Sequence, residues 1–124
     1  MADGAVLLVD DEEIVLDVAK RMLEKIGYSV LTAKNGREAL DIYKEKHDTI
    51  IFILLDVIMP GMEAADTYDA LLCINPAVKV LLSSGYNIDR QTSEVLIRGC
   101  NGFIQKPFNI KGLANKIDEI LGVE

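Results

Sequence analysis

Short apolar runs rich in β-branched residues alternate with segments of helical period along the whole chain, and that alternation leaves few folds open. A strand-like run that returns after each helical segment is the pattern of βαβ units building a parallel sheet. The runs cover residues 6–9, 29–33, 50–55, 78–82 and 102–105. The third is apolar throughout, as expected of a central strand covered on both faces. Between the first two runs, Ile14, Val18, Met22 and Ile26 recur at every fourth residue and are read as the inward face of a first helix that Gly27 closes. Asn35 and Gly36 are read as a turn into a second helix over residues 38–46. After a break at Pro60 and Gly61, a third helix is expected over 64–72 and a fourth over 88–98, while Leu113, Ile117, Ile120 and Leu121 mark the fifth. The expected fold is therefore α/β, a single doubly wound domain of five βα units spanning residues 1–124.

Four of these runs stop at a polar group able to hold a cation or meet a phosphoryl group. They are Asp10 with Asp11, then Asp56, then Ser84, then Lys106. In a parallel sheet these ends share one edge, the edge at which open α/β sheets keep their sites. Two carboxylates about 4 Å apart repel by roughly 4 kcal/mol at an effective dielectric of about 20, so Asp10, Asp11 and Asp56 need a cationic partner. A hard divalent ion with oxygen ligands fits, and Mg²⁺ is expected because it needs only one or two protein carboxylates, with Mn²⁺ as the alternative. A plainer reading has Asp10 or Asp11 merely capping the first helix. Asp56 is harder to explain that way, because it closes an apolar run where an unpaired carboxylate is costly. Lys106, before Pro107, can reach the carboxylates or stay solvated, and Ser84 with Gly85 can bind a phosphoryl oxygen or satisfy nearby backbone.

Bulk properties exclude several classes. The chain has 124 residues and a net charge of −7, with a pI near 4.7, so direct binding to nucleic acid is not expected. Half of the residues are hydrophobic, yet no run approaches the roughly 20 that a membrane span requires, so no membrane contact is expected. The first four residues lack a basic segment leading into an apolar core, and a cytoplasmic location is expected. Cys73 and Cys100 stand singly, without CxxC spacing, and are read as reduced, buried small hydrophobes. His47 is read as a surface residue ending the second helix, without a role in phosphotransfer.

The joint pattern resembles the receiver domains of response regulators. It is carried by Val9, Asp10, Asp11 and Glu12 after the first strand and by Leu55 to Met62 after the third. Ser83, Ser84, Gly85 and Tyr86 follow the fourth, and Lys106, Pro107 and Phe108 the fifth. The resemblance implies a flavodoxin-like sheet of order 2-1-3-4-5. It also implies that Asp56 is the phosphoacceptor, taking a phosphoryl group from a histidine kinase or histidine phosphotransfer protein. Asp10, Asp11, Asp56 and the Ile58 backbone carbonyl are then the Mg²⁺ ligands, and Lys106 contacts a phosphoryl oxygen. Ser84 and Phe103 are the switch residues, acting on a face made of helix four, strand five and helix five that could also carry a weak homodimer. Two departures stand out. Met62, Glu63 and Ala64 replace the usual Met-Asp-Gly, so the turn into the third helix is expected to sit differently, and Ser84 replaces the commoner threonine. From the bulky Ile58 and Tyr86 beside the pocket a fairly long-lived phosphate is expected.

Three other functions compete. An aspartyl-phosphate phosphatase needs an acid two residues after the nucleophile, where this chain has Ile58. A flavin-binding protein of this fold needs phosphate-holding hydroxyls and amides where Asp10, Asp11 and Glu12 stand. A receiver-like contact module that is never phosphorylated has no need of the Asp, Ser and Lys set. The run from Val80 to Asn87 is similar to receivers fused behind sensor histidine kinases, which favours such a parent for this chain over a stand-alone receiver.

Overall fold

A computed structural model describes residues 4–59, 61–85 and 90–122. In chain order the elements are β1 (Ala5–Val9), α1 (Glu13–Ile26), β2 (Ser29–Ala33), α2 (Gly36–Lys46), β3 (Ile50–Asp56), α3 (Ala64–Ile74), β4 (Val80–Ser84), α4 (Arg90–Ile97), β5 (Gly102–Gln105) and α5 (Ile110–Leu121). The strands form one parallel sheet in the order β2-β1-β3-β4-β5, the flavodoxin-like arrangement expected.

Alternation along the strands divides the core between the two faces of the sheet. Leu7, Val9, Ile53, Leu55, Val80 and Leu82 point to the layer of α2, α3 and α4, where they meet Tyr43, Tyr68, Leu71 and Val95. Their neighbours Val6, Leu8, Phe52, Leu54 and Leu81 point to the layer of α1 and α5, against Leu23, Leu113 and Ile117. β3 is buried nearly throughout because it has strands on both sides and helices on both faces.

The helix starts follow local chemistry. The Asn35 side chain accepts from the Glu38 amide at 2.9 Å, and the Glu38 carboxylate reaches back to the Lys34 amide at 3.0 Å, a reciprocal cap at the start of α2. Asn109 caps α5 in the same way through the Gly112 amide. At the ends of α1 and α5, Gly27 and Gly122 have positive φ and donate their backbone N–H to the last helical carbonyls.

Several elements differ from expectation. The apolar row Ile14, Val18, Met22 and Ile26 forms the inward face of α1 only in part: Met22 and Ile26 pack against the core, but Ile14 is 80% and Val18 47% exposed, and Leu16, Ala19 and Leu23 are the buried residues. Two apolar rows run side by side on this helix, and the adjacent one is the more deeply buried. β4 ends at Ser84, as expected, but begins at Val80 rather than at residue 78, although the Lys79 carbonyl still accepts from the Ile53 amide. The fourth helix is seen from Arg90, and Ile88 lies outside the described residues. Cys73 is exposed rather than buried, and both cysteines are free thiols. His47 is half-buried at the end of α2, against Tyr43 and 3.3 Å from Asp48, at the sheet edge opposite the strand ends of interest.

Gly36 is the first residue of α2 and its φ is not positive, so a turn conformation does not explain it. Close approach does. A Cβ there would collide with the buried Thr67 hydroxyl of α3 and lie 3.3 Å from the Met62 Cβ. Gly36→Ala should therefore lower stability by about 1–3 kcal/mol through overpacking, although alanine is favoured over glycine by about 1 kcal/mol in helix propensity. Urea denaturation decides between the two effects, and a stabilised variant would show that α2 and α3 can separate at no cost.

Candidate functional site

The sheet register brings the polar strand ends together. Val9 pairs with Leu55, Asp56 with Ser83, and Ser84 with Gln105, so Asp10, Asp56, Ser84 and Lys106 follow one another across adjacent strand ends. Backbone bonds hold these ends in line: Asp10 N–H donates to Ala33, Val57 N–H to Ser83, and Lys106 N–H to Ser84 at 2.7 Å.

Asp10 and Asp56 are buried, Asp11 is exposed, and one carboxylate oxygen from each lies within 4.8 Å of the others. Lys106 closes the group from β5. Its Nζ stands 2.7 Å from Asp10 Oδ2 and 3.3 Å from Asp56 Oδ1, with its side chain only 17% exposed. Neither Asp10 nor Asp11 caps α1. The N-cap is Glu12, with no side-chain bond, and Asp10 Oδ1 instead accepts the Glu12 amide at 3.0 Å, which fixes its carboxylate in a tight local turn.

Burial pushes the Asp56 carboxyl up to about 6. Asp10 adds to this, while Lys106 and the Ile58 amide, 3.4 Å from Asp56 Oδ1, oppose it. For Lys106, burial pulls the ammonium down. Its hydrogen bond to Asp10 and the charges of Asp56 and Asp10 outweigh that, and hold it above the usual lysine range. The site thus holds three acidic groups against one ammonium, a deficit of positive charge among oxygen donors that suits a hard divalent cation. Among the described residues this is the one cluster with a metal-ligand arrangement.

Ser84 is fully buried at the end of β4, and Phe103 is half-buried in β5, paired with Leu82 and packed on the α2–α4 side of the sheet. Ile58 is 49% exposed just past Asp56, while Tyr86 lies outside the described residues, as does Pro60. In the loop into α3 the positive φ falls on Gly61, and Ala64 is already helical and buried, so this turn does not need a glycine at position 64. Sequence reasoning missed the apolar wall beside the site. Ile14, Val15, Val18 and Met22 of α1 face Phe108 across a cavity of about 550 Å³ that opens onto Asp56 and Lys106. The fourfold recurrence on α1 carries the signal, but an apolar row of that period fits a core face equally well.

Comparison with known proteins agrees with this arrangement. Over 118 residues the chain is 35% identical to the sensor kinase CckA of Brucella abortus, covering 95% of this chain and 12% of that protein. It is 31% identical to the chemotaxis protein CheY of Thermotoga maritima, covering 93% of this chain and 95% of that one. The chain spans only 12% and 48% of the first two distinct relatives it matches. The solved response regulator receiver domain protein of Methanospirillum hungatei superposes with a TM-score of 0.88 at 29% identity, over 98% of this chain and 95% of that one. The profile of the response regulator receiver domain matches residues 6–118. With the sheet order, the acidic cluster and its lysine all in agreement, the chain belongs to the response regulator receiver family.

Proposed function

We propose that this chain is a phosphoacceptor whose Asp56 takes the phosphoryl group of a phosphohistidine on a histidine kinase or phosphotransfer protein, partners with which receiver domains interact. One observation carries the reading: two buried carboxylates and an exposed third lie within 4.8 Å of one another at the end of a parallel sheet, with a half-buried ammonium 2.7 Å and 3.3 Å from the two buried ones. In the transfer an Asp56 carboxylate oxygen forms the new bond to phosphorus. The bond from phosphorus to the imidazole nitrogen breaks, and its electron pair returns to the ring. Lys106, already oriented by Asp10, meets a second phosphoryl oxygen.

Asp10, Asp11, Asp56 and the Ile58 carbonyl would hold Mg²⁺ or Mn²⁺, and the ion would neutralise charge on the transferring group. Ser84 and Phe103 form the switch, on the neighbouring strands β4 and β5, of which β4 pairs with β3, and the α4-β5-α5 face is the output surface and the place for a weak homodimer. The exposed Ile97 on α4 supports that placing. Ile58 offers no proton to a phosphatase reaction. The match to a sensor kinase supports a hybrid kinase as the parent, with residues 1–124 as its receiver unit in the cytoplasm. Among the described residues no helix is long and apolar enough to cross a membrane.

Acetyl phosphate with Mg²⁺ should add one phosphoryl mass to the native protein, and chelation or Asp56→Asn should abolish it. An adduct that survives in Asp56→Asn would place the chemistry on another residue and sink the proposal.

A further inference from the structure

We propose that the cavity beside Asp56 is a leaving-group pocket, and that this receiver prefers small-molecule phosphodonors with an apolar, ring-sized leaving group over acetyl phosphate. The inference rests on Asp56 as phosphoacceptor and adds a substrate class to it.

Three observations support it. The cavity, about 550 Å³, lies within the range of small-molecule sites, roughly 300–1,000 Å³, and has their make-up of apolar walls with a few convergent polar groups. Its walls include Ile14, Val15, Val18 and Met22 of α1 with Ile58 and Phe108, and its charged lining is Asp56, Lys106 and Glu12. The ammonium supplies the charge that a phosphoryl oxygen needs, so an anionic head and an apolar body are both matched. Ile14, at 80% exposure, and Val18, at 47%, are apolar groups left in water beside a reactive carboxylate, and a bound ring would cover them.

The cavity is lined by Asp56 and Lys106 and by Ile14, Val15, Val18 and Met22 of α1, and in this proposal the group leaving phosphorus enters it. With benzoyl phosphate, an Asp56 oxygen bonds to phosphorus and the bond from phosphorus to the benzoate oxygen breaks. Benzoate leaves with the electron pair, and no proton moves. Acetate leaves by the same route but has only a methyl group to bury.

The test compares phosphorylation of the native protein by benzoyl phosphate and by acetyl phosphate in saturating Mg²⁺, each rate divided by that donor's spontaneous hydrolysis. The normalised ratio should favour benzoyl phosphate by about tenfold, the effect of withdrawing roughly 55 Å² of ring surface from water at about 25 cal/mol per Å². In an Ile14→Ser, Val18→Ser variant the ratio should fall towards one. Both positions are solvent-exposed, so the fold should survive the change. As a binding readout, benzylphosphonate should shift the methyl resonances of Ile14, Val18 and Met22 in the native protein, and methylphosphonate should not.

A normalised ratio near one in the native protein would overturn the proposal. So would an unchanged ratio in the variant, including the case in which transfer from a phosphohistidine domain collapses there, which would assign the cavity to a partner's helix. Failure of both donors to label Asp56 would instead strike at the phosphoacceptor reading itself.

Discussion

Replacing Asp56 with asparagine should make the metal-free protein more stable by up to about 3 kcal/mol at pH 7 to 8, a rise of roughly 10 °C in Tm for a domain of this size. The cause is the burial that lifts its carboxyl to about 6 from an ordinary value of 3.8. At about 1.4 kcal/mol per unit, that difference gives the cost of keeping the group ionised in the folded state. The sign follows from proton binding. Between about pH 4 and pH 6 the folded protein holds a proton that the unfolded chain releases, so stability falls as pH rises through this window and is level above it. Asp10, Asp11 and Lys106 are the charged groups facing Asp56, and the substitution leaves all three in place.

In chelator, the native protein should therefore lose stability from pH 4 to pH 6 relative to Asp56→Asn, and the two should converge near pH 4. With saturating Mg²⁺ the difference should narrow or reverse, because the ion stabilises more strongly the form that keeps all three carboxylate ligands. Urea titrations at several pH values, with and without Mg²⁺, measure this. An Asp56→Asn variant that is no more stable than the native protein in chelator at pH 7.5 would show that the cluster carries no stored repulsion. Stability is thus spent on reactivity: the residue that best explains the function is one the bare fold would be better without.

How much of this could be read from residue order differs from element to element. The sheet was legible because its strands are continuous apolar runs, and their ends were legible because a buried acid or lysine after such a run is costly unless used. Asp10, Asp56 and Lys106 meet as expected, because the register places their strand ends side by side. α1 was misread for a physical reason. Ile14, Val18, Met22 and Ile26 form one apolar row, of which only Met22 and Ile26 pack on the core, Leu16, Ala19 and Leu23 form another, and helical periodicity cannot say which of two adjacent rows is buried the deeper. Only the packing partners, Leu8, Phe52 and Leu54 on one side of it, decide.

Gly36 was misread in a similar way. A glycine after asparagine signals a turn, while its actual constraint is a neighbour, Thr67, 31 positions further along the chain. The start of β4 also escaped, because Val78 is buried without being paired as a strand residue. Chemistry at strand ends is local and legible; helix orientation and close approach are set by distant partners and are not.

Lys106→Met should produce the opposite change to Asp56→Asn, a loss of about 3 kcal/mol or more in chelator at neutral pH. Methionine keeps the apolar stem but removes the ammonium within 2.7 Å of Asp10 and 3.3 Å of Asp56. Removing one partner of a buried pair typically costs about 3–5 kcal/mol because the remaining charge is left without compensation. Here two buried carboxylates lose their cation together, although protonation of Asp56 can relieve part of the cost. The loss should therefore shrink as pH falls from the neutral range towards 6 and level off below it, since Asp56 rises above its native value of about 6 once the lysine that holds it down is gone. Mg²⁺ should then stabilise the Lys106→Met variant more than the native protein, the ion being the one cation left to the cluster. Thermal melts in chelator and in Mg²⁺, at pH 5.5 and 7.5, test both dependences. Equal stability of variant and native protein in chelator, or a smaller response to Mg²⁺ in the variant, would mean that the ammonium is a bystander. The electrostatic account of the site would then fail at its base, because the same ammonium is invoked to orient the phosphoryl group at Asp56.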